Sequence, residues 1–515
     1  MSTDTGERRG VELLIAALRV VLAVGLVGCA AFLAVDTLHW PLVGDAAVMH
    51  YGAFLLEHGL APYRQIVDIN LPGCFPLDWT VIHVFGADAL GWRLFDFALI
   101  GAAAAAMFAM ARRNGWFGAL FAACFLFVLH IHDGVDQAGE RDLVLAVFLL
   151  VACAAIFWAL RRNAWVGSLA FGMIAGAATL IKPNALPWAV GVLVLAAVAL
   201  HRRRQRIAPH IMAACLGFLA PVAADFLWLW REHAVRAWWL IMTRLIPYHA
   251  AIDRHPLGYL LRQLVPSALF TVILLWLPLA VVSRRCCTWE GAALYYSVAI
   301  GIVSFLGQGK AFPYHRYPLE VFLLLLIGLD AAEALRGRGW ARIPAGALLI
   351  FAVFAVCFPW TARASRYDWQ HDAFTQSLSA DLTSTGGPSL SGHVQCLDMF
   401  AGCLGTLYRL DLMQSTGFLY DCYFFNQPQN AFTLEMRQRF LDDLERDPPR
   451  LIVVSNQNCL GRPLGYFSPQ EWPAFSAWLG AHYSLAVERQ PQGLVRWWPI
   501  ARDSPGYRIY ELPRG

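Results

Sequence analysis

The chain has 515 residues, of which 58% are hydrophobic and 15% are charged, and its mean hydropathy is +0.50. A water-soluble globule cannot keep that much apolar surface away from water, so the composition excludes a soluble protein and indicates a polytopic membrane protein. The formal net charge is +4, and no nucleic-acid partner is expected.

Apolar runs near or above the roughly 20 residues that cross a bilayer predict about eleven transmembrane helices. They lie at residues 11–35, 90–111, 117–129, 143–160, 166–181, 185–200, 207–230, 260–282, 291–306, 319–335 and 343–360. The chain is therefore expected to divide into a transmembrane catalytic domain, residues 1–360, and a smaller domain, residues 361–515.

Arginine clusters fall at every second boundary of these runs. They are Arg8, Arg9, Arg112, Arg113, Arg161, Arg162, Arg202, Arg203, Arg204, Arg206, Arg284, Arg285, Arg336, Arg338 and Arg342. Short basic loops are retained in the cytoplasm, so the N-terminus is predicted inside and, after an odd number of spans, the tail outside. No cleavable signal is predicted. A bacterial inner membrane with a periplasmic C-terminal domain is the expected setting.

The first outward loop carries two acids, Asp45 and Asp68. Asp45 precedes AAVMHYGAFLLEHG, whose apolar spacing predicts a short helix along the membrane interface with Asp45 at its N-cap. Asp45 is the first candidate for a general base that accepts a proton from an attacking hydroxyl; the alternative is that it only caps the helix. Asp68, in VDINLPG, is a second candidate, and turn formation before the Pro-Gly pair explains it equally well.

The second outward loop, HIHDGVDQAGERDLVLAVF, is richer in charge. Glu140 and Asp142 are candidate catalytic acids, although acids at a helix start also complement the helix dipole. Arg141 lies between them on the predicted outer side, whereas the other arginine clusters lie on the cytoplasmic side. Bidentate binding of a phosphate would explain an arginine at this position. A weaker hypothesis is a divalent-metal site formed by His130, His132, Asp133 and Asp136.

The chain has only two lysines, Lys182 in LIKPN and Lys310 in GQGKAFPYHRYP, both at predicted outward helix ends. One interpretation is that they are anchors that reach the interface from the helix ends. The other is that a compact ammonium at the outer leaflet binds a phosphate. His315 and Arg316, close to Lys310, favour phosphate binding for that cluster.

The tail is more polar than the rest. The segment MRQRFLDDLERDPPRLIVVSN predicts an amphipathic helix, a Pro-Pro turn and a buried strand, and SPQE at residues 468–471 predicts a capping box that opens a helix through Trp478. These elements indicate a small α/β domain. Cys396, Cys403, Cys422 and Cys459 lie in the tail, and four cysteines permit three connectivities.

The order of these motifs resembles the GT-C superfamily of membrane glycosyltransferases. The resemblance lies in an early Asp and APYRQIVDINLPG in the first outward loop, acid-Arg-acid before the fourth span, IKPN, and GKAFPYHRYPLE opening a late span. The nearest branch contains the protein O-mannosyltransferases and the aminoarabinose transferase that modifies lipid A. The order of spans and loops resembles that of the superfamily over about residues 13–360.

The resemblance implies an enzyme that transfers a hexose or pentose, with inversion, from a polyprenyl-phosphate donor to a hydroxyl of an acceptor outside the cytoplasm. It matches Asp45 to the first-loop catalytic acid, residues 140–142 to the second-loop charged motif, and residues 310–316 to the basic segment near the donor phosphate. Many relatives have a second acid where this chain has Ala46. A shared metal is therefore in doubt, no cofactor is implied with certainty, and a divalent metal stays open.

Two other classes of protein stay open. A secondary transporter would place charges near the bilayer midplane and often shows repeated halves, whereas the charges here gather at outward helix ends and no repeat is visible. A noncatalytic component of envelope polysaccharide export would use the tail as its binding surface.

Overall fold

The computed structural model describes residues 3–111, 115–137, 139–252, 254–337, 339–365, 373–398, 400–425, 430–457, 464–490, 494–497 and 500–513. Some residues used in the sequence predictions lie outside this part. They are Arg112, Arg113, Arg338 and Cys459, together with the side chains of Arg8, Arg9, Asp136 and Ser468.

Most of the described residues are helical. In chain order the helices are α1 (Thr3–Asp36), α2 (Gly44–Glu57), α3 (Cys74–Phe85), α4 (Ala89–Ala111), α5 (Trp116–His132), α6 (Arg141–Arg162), α7 (Trp165–Ile181), α8 (Ala185–Arg202), α9 (Ala208–Arg231), α10 (Val235–Leu240), α11 (Ile246–Ala251), α12 (Leu257–Gln263), α13 (Ser267–Ser283), α14 (Trp289–Gln308), α15 (Tyr317–Arg336), α16 (Arg342–Ile350), α17 (Phe358–Ala364), α18 (Ala373–Thr385), α19 (Cys403–Arg409), α20 (Cys422–Phe425), α21 (Ala431–Arg446), α22 (Phe467–Gln470) and α23 (Pro473–His482). The strands are β1 (Val394–Leu397), β2 (Leu451–Ser455), β3 (Ser484–Arg489), β4 (Leu494–Trp497), β5 (Ile500–Asp503) and β6 (Tyr507–Glu511).

Each of the eleven predicted apolar runs lies mainly in helices, and the run at residues 260–282 is interrupted between α12 and α13. Within the described residues, seven helices are by themselves long and apolar enough to cross a membrane, and an eighth is added if α12 and α13, bent by 78°, form one span. The helices α5 and α7 are shorter, at 17 residues each, and α15 carries three carboxylates. The prediction of a polytopic helical membrane protein is confirmed, and the chain is an integral membrane protein.

The chain forms two units by its internal contacts. The first unit comprises Met1–Leu38, Arg93–Ala224 and His255–Arg366. Its central helix is α15, which packs on α5, α6, α13, α14 and α16 and is buried without a break from Tyr317 to Ala332. A helix that is hydrophobic all round belongs in the core of a bundle, and α15 fits that rule.

A glycine pair brings α15 close to α5. A Cβ atom on Gly118 would lie 2.3 Å from the carbonyl oxygen of Gly328, and one on Gly328 would lie 2.2 Å from that of Gly118. Only glycine permits this approach of two backbones, as is common between membrane helices. The contact fixes α5 against α15, and the N-terminal end of α15 carries the predicted basic segment.

The second unit comprises His39–Trp92, Asp225–Arg254 and Tyr367–Gly515. Its sheet has the strand order β1-β2-β6-β3, in which β1 and β2 are parallel and β6 is antiparallel to both β2 and β3; β4 and β5 form a separate antiparallel pair. The predicted amphipathic helix and buried strand are α21 and β2. The α/β character of the tail is therefore confirmed.

One local prediction in the tail is wrong. The capping box at residues 468–471 does not open a helix through Trp478, because α22 ends at Gln470 and α23 begins at Pro473. Proline disfavours a helical conformation of the residue before it, and Trp472 accordingly has φ −128° and ψ 80°. Burial of the Trp472 ring in the core holds this break.

The first outward loop is part of the core of the second unit. Every residue of α2 from Ala46 to Leu55 is buried, and α2 packs on α19. The Tyr51 hydroxyl donates to the carbonyl of Leu412 at 3.0 Å, and the Val67 N–H donates to that of Gly417 at 2.8 Å. The expected interfacial helix is therefore a core helix, because tail residues cover the side that sequence analysis assigned to lipid. The functional division of the chain at residue 360 stays a prediction.

Candidate active site

Asp45 lies in the first turn of α2 and is half-buried. The N-cap residue is Val43, with φ −136° and ψ 172°, so the prediction that Asp45 is the N-cap is wrong by two positions. The helix starts earlier because Gly44 already belongs to its first turn. A carboxylate at this position still faces the positive end of the helix dipole.

A cleft borders the first turn of α2 within the second unit. Its walls include Leu42, Gly44 and Ala47 from the first loop, and Asp398, Phe400 and Arg409 from the tail. Gly44, directly before Asp45, and Ala47, two positions after it, therefore line a concave surface that the tail completes. Small-molecule sites are typically concave with a few convergent polar groups, so this cleft is the candidate site beside Asp45.

Asp398 is a buried residue that sequence analysis did not identify. It accepts hydrogen bonds from the N–H groups of Ala401 (3.1 Å), Gly402 (3.1 Å) and Cys403 (2.9 Å), and from the Ser455 hydroxyl at 2.7 Å. The Cys396–Cys403 disulfide closes the same loop. Burial and the nearby Asp398 raise the pKa of Asp421 to about 8, so the Asp421 carboxyl is protonated at neutral pH.

Asp68 is buried in a turn of the first loop. Its Oδ1 accepts the backbone N–H of Asn70 at 3.0 Å, and its Oδ2 accepts the Asn70 side-chain amide at 3.1 Å. This is an Asx-type turn, which matches the structural explanation given for Asp68.

The second-loop motif lies in the first unit, at the start of α6. Glu140 is the N-cap residue and is buried, and Asp142 in the first turn is fully buried. The Lys182 ammonium lies 2.8 Å from Oδ1 and 2.6 Å from Oδ2 of Asp142 and donates to Gln308 Oε1 at 3.1 Å. The structure thus brings together Asp142 and Lys182, which lie next to the ends of two different predicted spans.

The predicted basic segment forms a tight turn between α14 and α15. Gly309 ends α14 with φ +72°, a conformation that favours glycine. Ala311 has φ +57°, which is rare for a residue with a side chain and often marks a functional site. The turn then continues as a single 3₁₀ segment, Pro313–Arg316. Lys310, His315 and Arg316 are all buried.

His315 lies within the influence of three cations. Burial and the charges of Lys182, Arg141 and Lys310 lower the pKa of His315 well below its usual value. The four side chains come from the second loop, the end of α7 and the basic turn, and they therefore form one electropositive cluster in the first unit. The lowered pKa disfavours a charge on His315 in the absence of an anion, and the role of His315 in binding a phosphate stays a prediction.

Arg316 is held by acids. Its Nη2 donates to Asp133 Oδ2 at 2.6 Å, and its Nε lies 3.3 Å from Glu320 Oε1. Burial disfavours the charged guanidinium, but Asp133 and Glu320 outweigh it and raise the pKa of Arg316. The positive charge of Arg316 is thus compensated inside the protein.

Three of the four residues of the metal hypothesis have separate contacts, and the side chain of the fourth, Asp136, lies outside the described part of the structure. His130 Nδ1 bonds the Tyr317 hydroxyl at 2.6 Å, the His132 ring stacks on Trp360 at 4.1 Å, and Asp133 binds Arg316. Among the described residues, no three His, Cys, Asp or Glu side chains are arranged to hold a metal ion.

Sequence analysis also missed acids inside apolar runs. Asp96 lies in WRLFDFALIG and Glu320 in YPLEVFLL, and both side chains are buried in the first unit. The available signal was the position itself, since ionisable residues within membrane spans are rare and mark functional sites.

Residues 72–228 match the family model described as dolichyl-phosphate-mannose-protein mannosyltransferase. No curated protein sequence matches the chain.

The fold is similar to that of solved membrane glycosyltransferases. ArnT from Cupriavidus metallidurans bound to undecaprenyl phosphate matches with a TM-score of 0.54 and 14% identity, over 97% of this chain and 98% of that one. The apo form of ArnT matches with a TM-score of 0.56 and 12% identity, over 98% of each chain. The apo oligosaccharyltransferase of Archaeoglobus fulgidus matches with a TM-score of 0.53 and 9% identity, over 85% of this chain and 69% of that one. The resemblance to the GT-C superfamily is confirmed at the level of fold.

Proposed function

We propose that the chain is a membrane glycosyltransferase that moves a hexose or pentose from a polyprenyl-phosphate donor to a hydroxyl of an extracytoplasmic acceptor, with inversion. The observation that carries the proposal is the electropositive cluster around His315, to which Arg141, Lys182 and Lys310 contribute. Cations in a poorly hydrated site bind phosphate strongly. The undecaprenyl phosphate bound to the structurally similar ArnT supports a carrier of this class.

The leaving group explains why cations are needed. A polyprenyl phosphate leaves as an anion, so the transition state is stabilised by positive charge and needs no acid to protonate the leaving oxygen. We propose Arg141, Lys182, Lys310 and Arg316 as the phosphate ligands. Asp142 lies against Lys182 and Asp133 against Arg316, so part of the charge of these two ligands is balanced within the protein.

The acceptor needs a base, because a neutral hydroxyl is a weak nucleophile. Asp45, beside the cleft of the second unit, is our assignment. Its position in the first turn of α2, next to residues that line the cleft, supports this assignment. Glu140, Asp142 and Asp68 are the alternative bases. No metal is required by this mechanism.

We place the chain in a bacterial inner membrane, with its N-terminus in the cytoplasm and the tail in the periplasm. The arginine pattern supports this orientation. The Cys396–Cys403 disulfide in the tail also supports it, since disulfides persist in oxidising compartments.

The first experiment compares lipids and surface glycans by mass spectrometry in cells with and without the gene. A sugar that disappears from one acceptor in the deletion identifies donor and acceptor together. An unchanged set of glycosylated lipids, glycans and proteins would contradict the proposal.

The second experiment replaces Asp45 by Asn in the purified full-length protein. Because Asn keeps the shape but cannot accept the proton, turnover should fall by roughly a hundred- to ten-thousand-fold with little change in thermal stability. Asp411→Asn, at an exposed acid of the same unit, is the matched control and should remain active. Near-normal turnover of Asp45→Asn would move the role of base to Glu140, Asp142 or Asp68, whichever abolishes transfer without unfolding the protein when it is replaced.

A further inference from the structure

Four polar residues of the first unit form a buried network. Arg93 Nη1 donates to Asp96 Oδ2 at 2.8 Å, and His130 Nε2 lies 3.5 Å from the same oxygen. On its other side, His130 Nδ1 bonds the Tyr317 hydroxyl at 2.6 Å. All four side chains are at most 2% exposed. They come from α4, α5 and α15, so the network joins three helices.

His130 makes two different contacts. Its Nδ1 forms a 2.6 Å hydrogen bond with the Tyr317 hydroxyl. Its Nε2 lies 3.5 Å from Asp96 Oδ2, which is within the range of an ion pair but is not a hydrogen bond.

The network touches both elements that carry the proposed phosphate ligands. Asp96 Oδ1 accepts the backbone N–H of Gly139, which directly precedes the Glu140–Asp142 motif. At the other end, Tyr317 follows Arg316 and is the first residue of α15. The Asp96 carboxylate therefore holds the backbone before Arg141 and lies beside His130, and His130 in turn bonds Tyr317 at the end of the turn that contains Lys310 and His315.

Packing alone does not account for such a network. An apolar core of the same shape would usually be at least as stable, because a buried ion pair must offset the cost of removing both charges from water. The Gly118–Gly328 contact already brings α5 and α15 together. The polar groups contribute directional contacts. Hydrogen bonds fix the rotation and register of these helices more sharply than apolar contacts do.

We propose that Asp96, His130 and Tyr317 are positioning residues that hold the second-loop motif and the basic turn in register for the donor phosphate. This inference rests on the proposed function and extends it to three residues that do not themselves touch the donor. It predicts a defect in phosphate recognition that is larger than any loss of stability.

The test uses the full-length protein in nanodiscs, with undecaprenyl phosphate as the probe and undecaprenol, which lacks the phosphate, as the control lipid. Tyr317→Phe removes only the hydroxyl and should weaken binding of undecaprenyl phosphate by about tenfold, the effect of one lost buried hydrogen bond. Binding of undecaprenol should not change. Tyr296→Phe is the matched control, because it removes a 2.7 Å hydrogen bond to the Pro187 carbonyl in the same unit; its affinity should equal that of the wild type.

A second pair of variants guards against a folding defect. His130→Gln keeps an acceptor and a donor and should retain affinity within about threefold, whereas His130→Leu should lose about tenfold. Loss of affinity for both lipids alike, or unchanged affinity in folded Tyr317→Phe and His130→Leu, would overturn the inference. If the variants bind normally while Lys310→Ala does not bind, the proposed phosphate site stands and only the positioning role fails. If the wild type itself binds no undecaprenyl phosphate, the proposed function fails and this inference fails with it.

Discussion

The contact between Lys182 and Asp142 makes a strong prediction about the first unit. Asp142 is fully buried and the Lys182 side chain is 15% exposed, so water screens their attraction little. At 2.6 Å and an effective dielectric constant of about 20, the Coulomb attraction is about 6 kcal/mol before desolvation is subtracted. Breaking such a pair by removing one partner typically costs about 3–5 kcal/mol.

We therefore expect Lys182→Met to destabilise the first unit by about 3 kcal/mol, because it leaves the Asp142 carboxylate buried without its cation. Its unfolding temperature should fall by roughly 6–10 °C. Asp142→Asn should cost less, since the Lys182 ammonium keeps Gln308 and some access to water. The double variant should recover at least about 2 kcal/mol relative to the sum of the single variants.

The assay is thermal unfolding of the four proteins in one detergent, with binding of undecaprenyl phosphate measured on the same samples. If Lys182 acts by neutralising Asp142, the double variant should bind the lipid as well as Asp142→Asn does. Additive losses of stability would refute the energetic reasoning. A double variant that is stable but does not bind would support Lys182 as a direct phosphate ligand, as the sequence predicted.

Three further outcomes are expected. Burial and three cations lower the pKa of His315, so below about pH 6.5 the unfolded chain binds a proton that the folded protein does not bind. The stability of the wild type should therefore fall as the pH drops below about 6.5, and that of His315→Gln should fall less steeply. Thermal melts from pH 7.5 to 5 measure this difference. The pKa of Asp421 is instead raised to about 8, so Asp421→Asn should raise the melting temperature of the second unit at pH 8 and change little near pH 4. A reporter fused after Gly515 should be active only if it is of the periplasmic type; activity of a cytoplasmic reporter there would reverse the orientation.

Membrane-spanning elements were predictable from the sequence because burial in lipid requires long apolar runs, a property that is local in the chain. Each of the eleven runs lies mainly in helices for this reason. The strand β2 was predictable in the same way, as a short apolar run after a Pro-Pro turn. The break at Trp472 was not recognised, although Pro473 was visible, because the capping box suggested a continuous helix.

The partners of the charged residues were not predictable, because they depend on contacts between distant segments. Asp142 and Lys182 are 40 positions apart, and Asp133 and Arg316 are 183 apart. The first loop presented a similar difficulty: its apolar stretch fitted an interfacial helix, but residues more than 300 positions later bury it. The sequence predicted which residue types would bind a phosphate. The fold shows which carboxylates contact Lys182 and Arg316.

The pairing explains how a membrane protein can hold several cations near an apolar region without excessive cost. Lys182 and Arg316 each meet a carboxylate, which offsets most of their desolvation. Burial, and after it the charges of Lys182, Arg141 and Lys310, nevertheless lowers the pKa of His315 and disfavours its protonation. A phosphate placed among Arg141, Lys182 and Lys310 would oppose these charges and favour protonation of His315. Binding of an anionic lipid and protonation of His315 are therefore thermodynamically linked, and each must favour the other to the same extent.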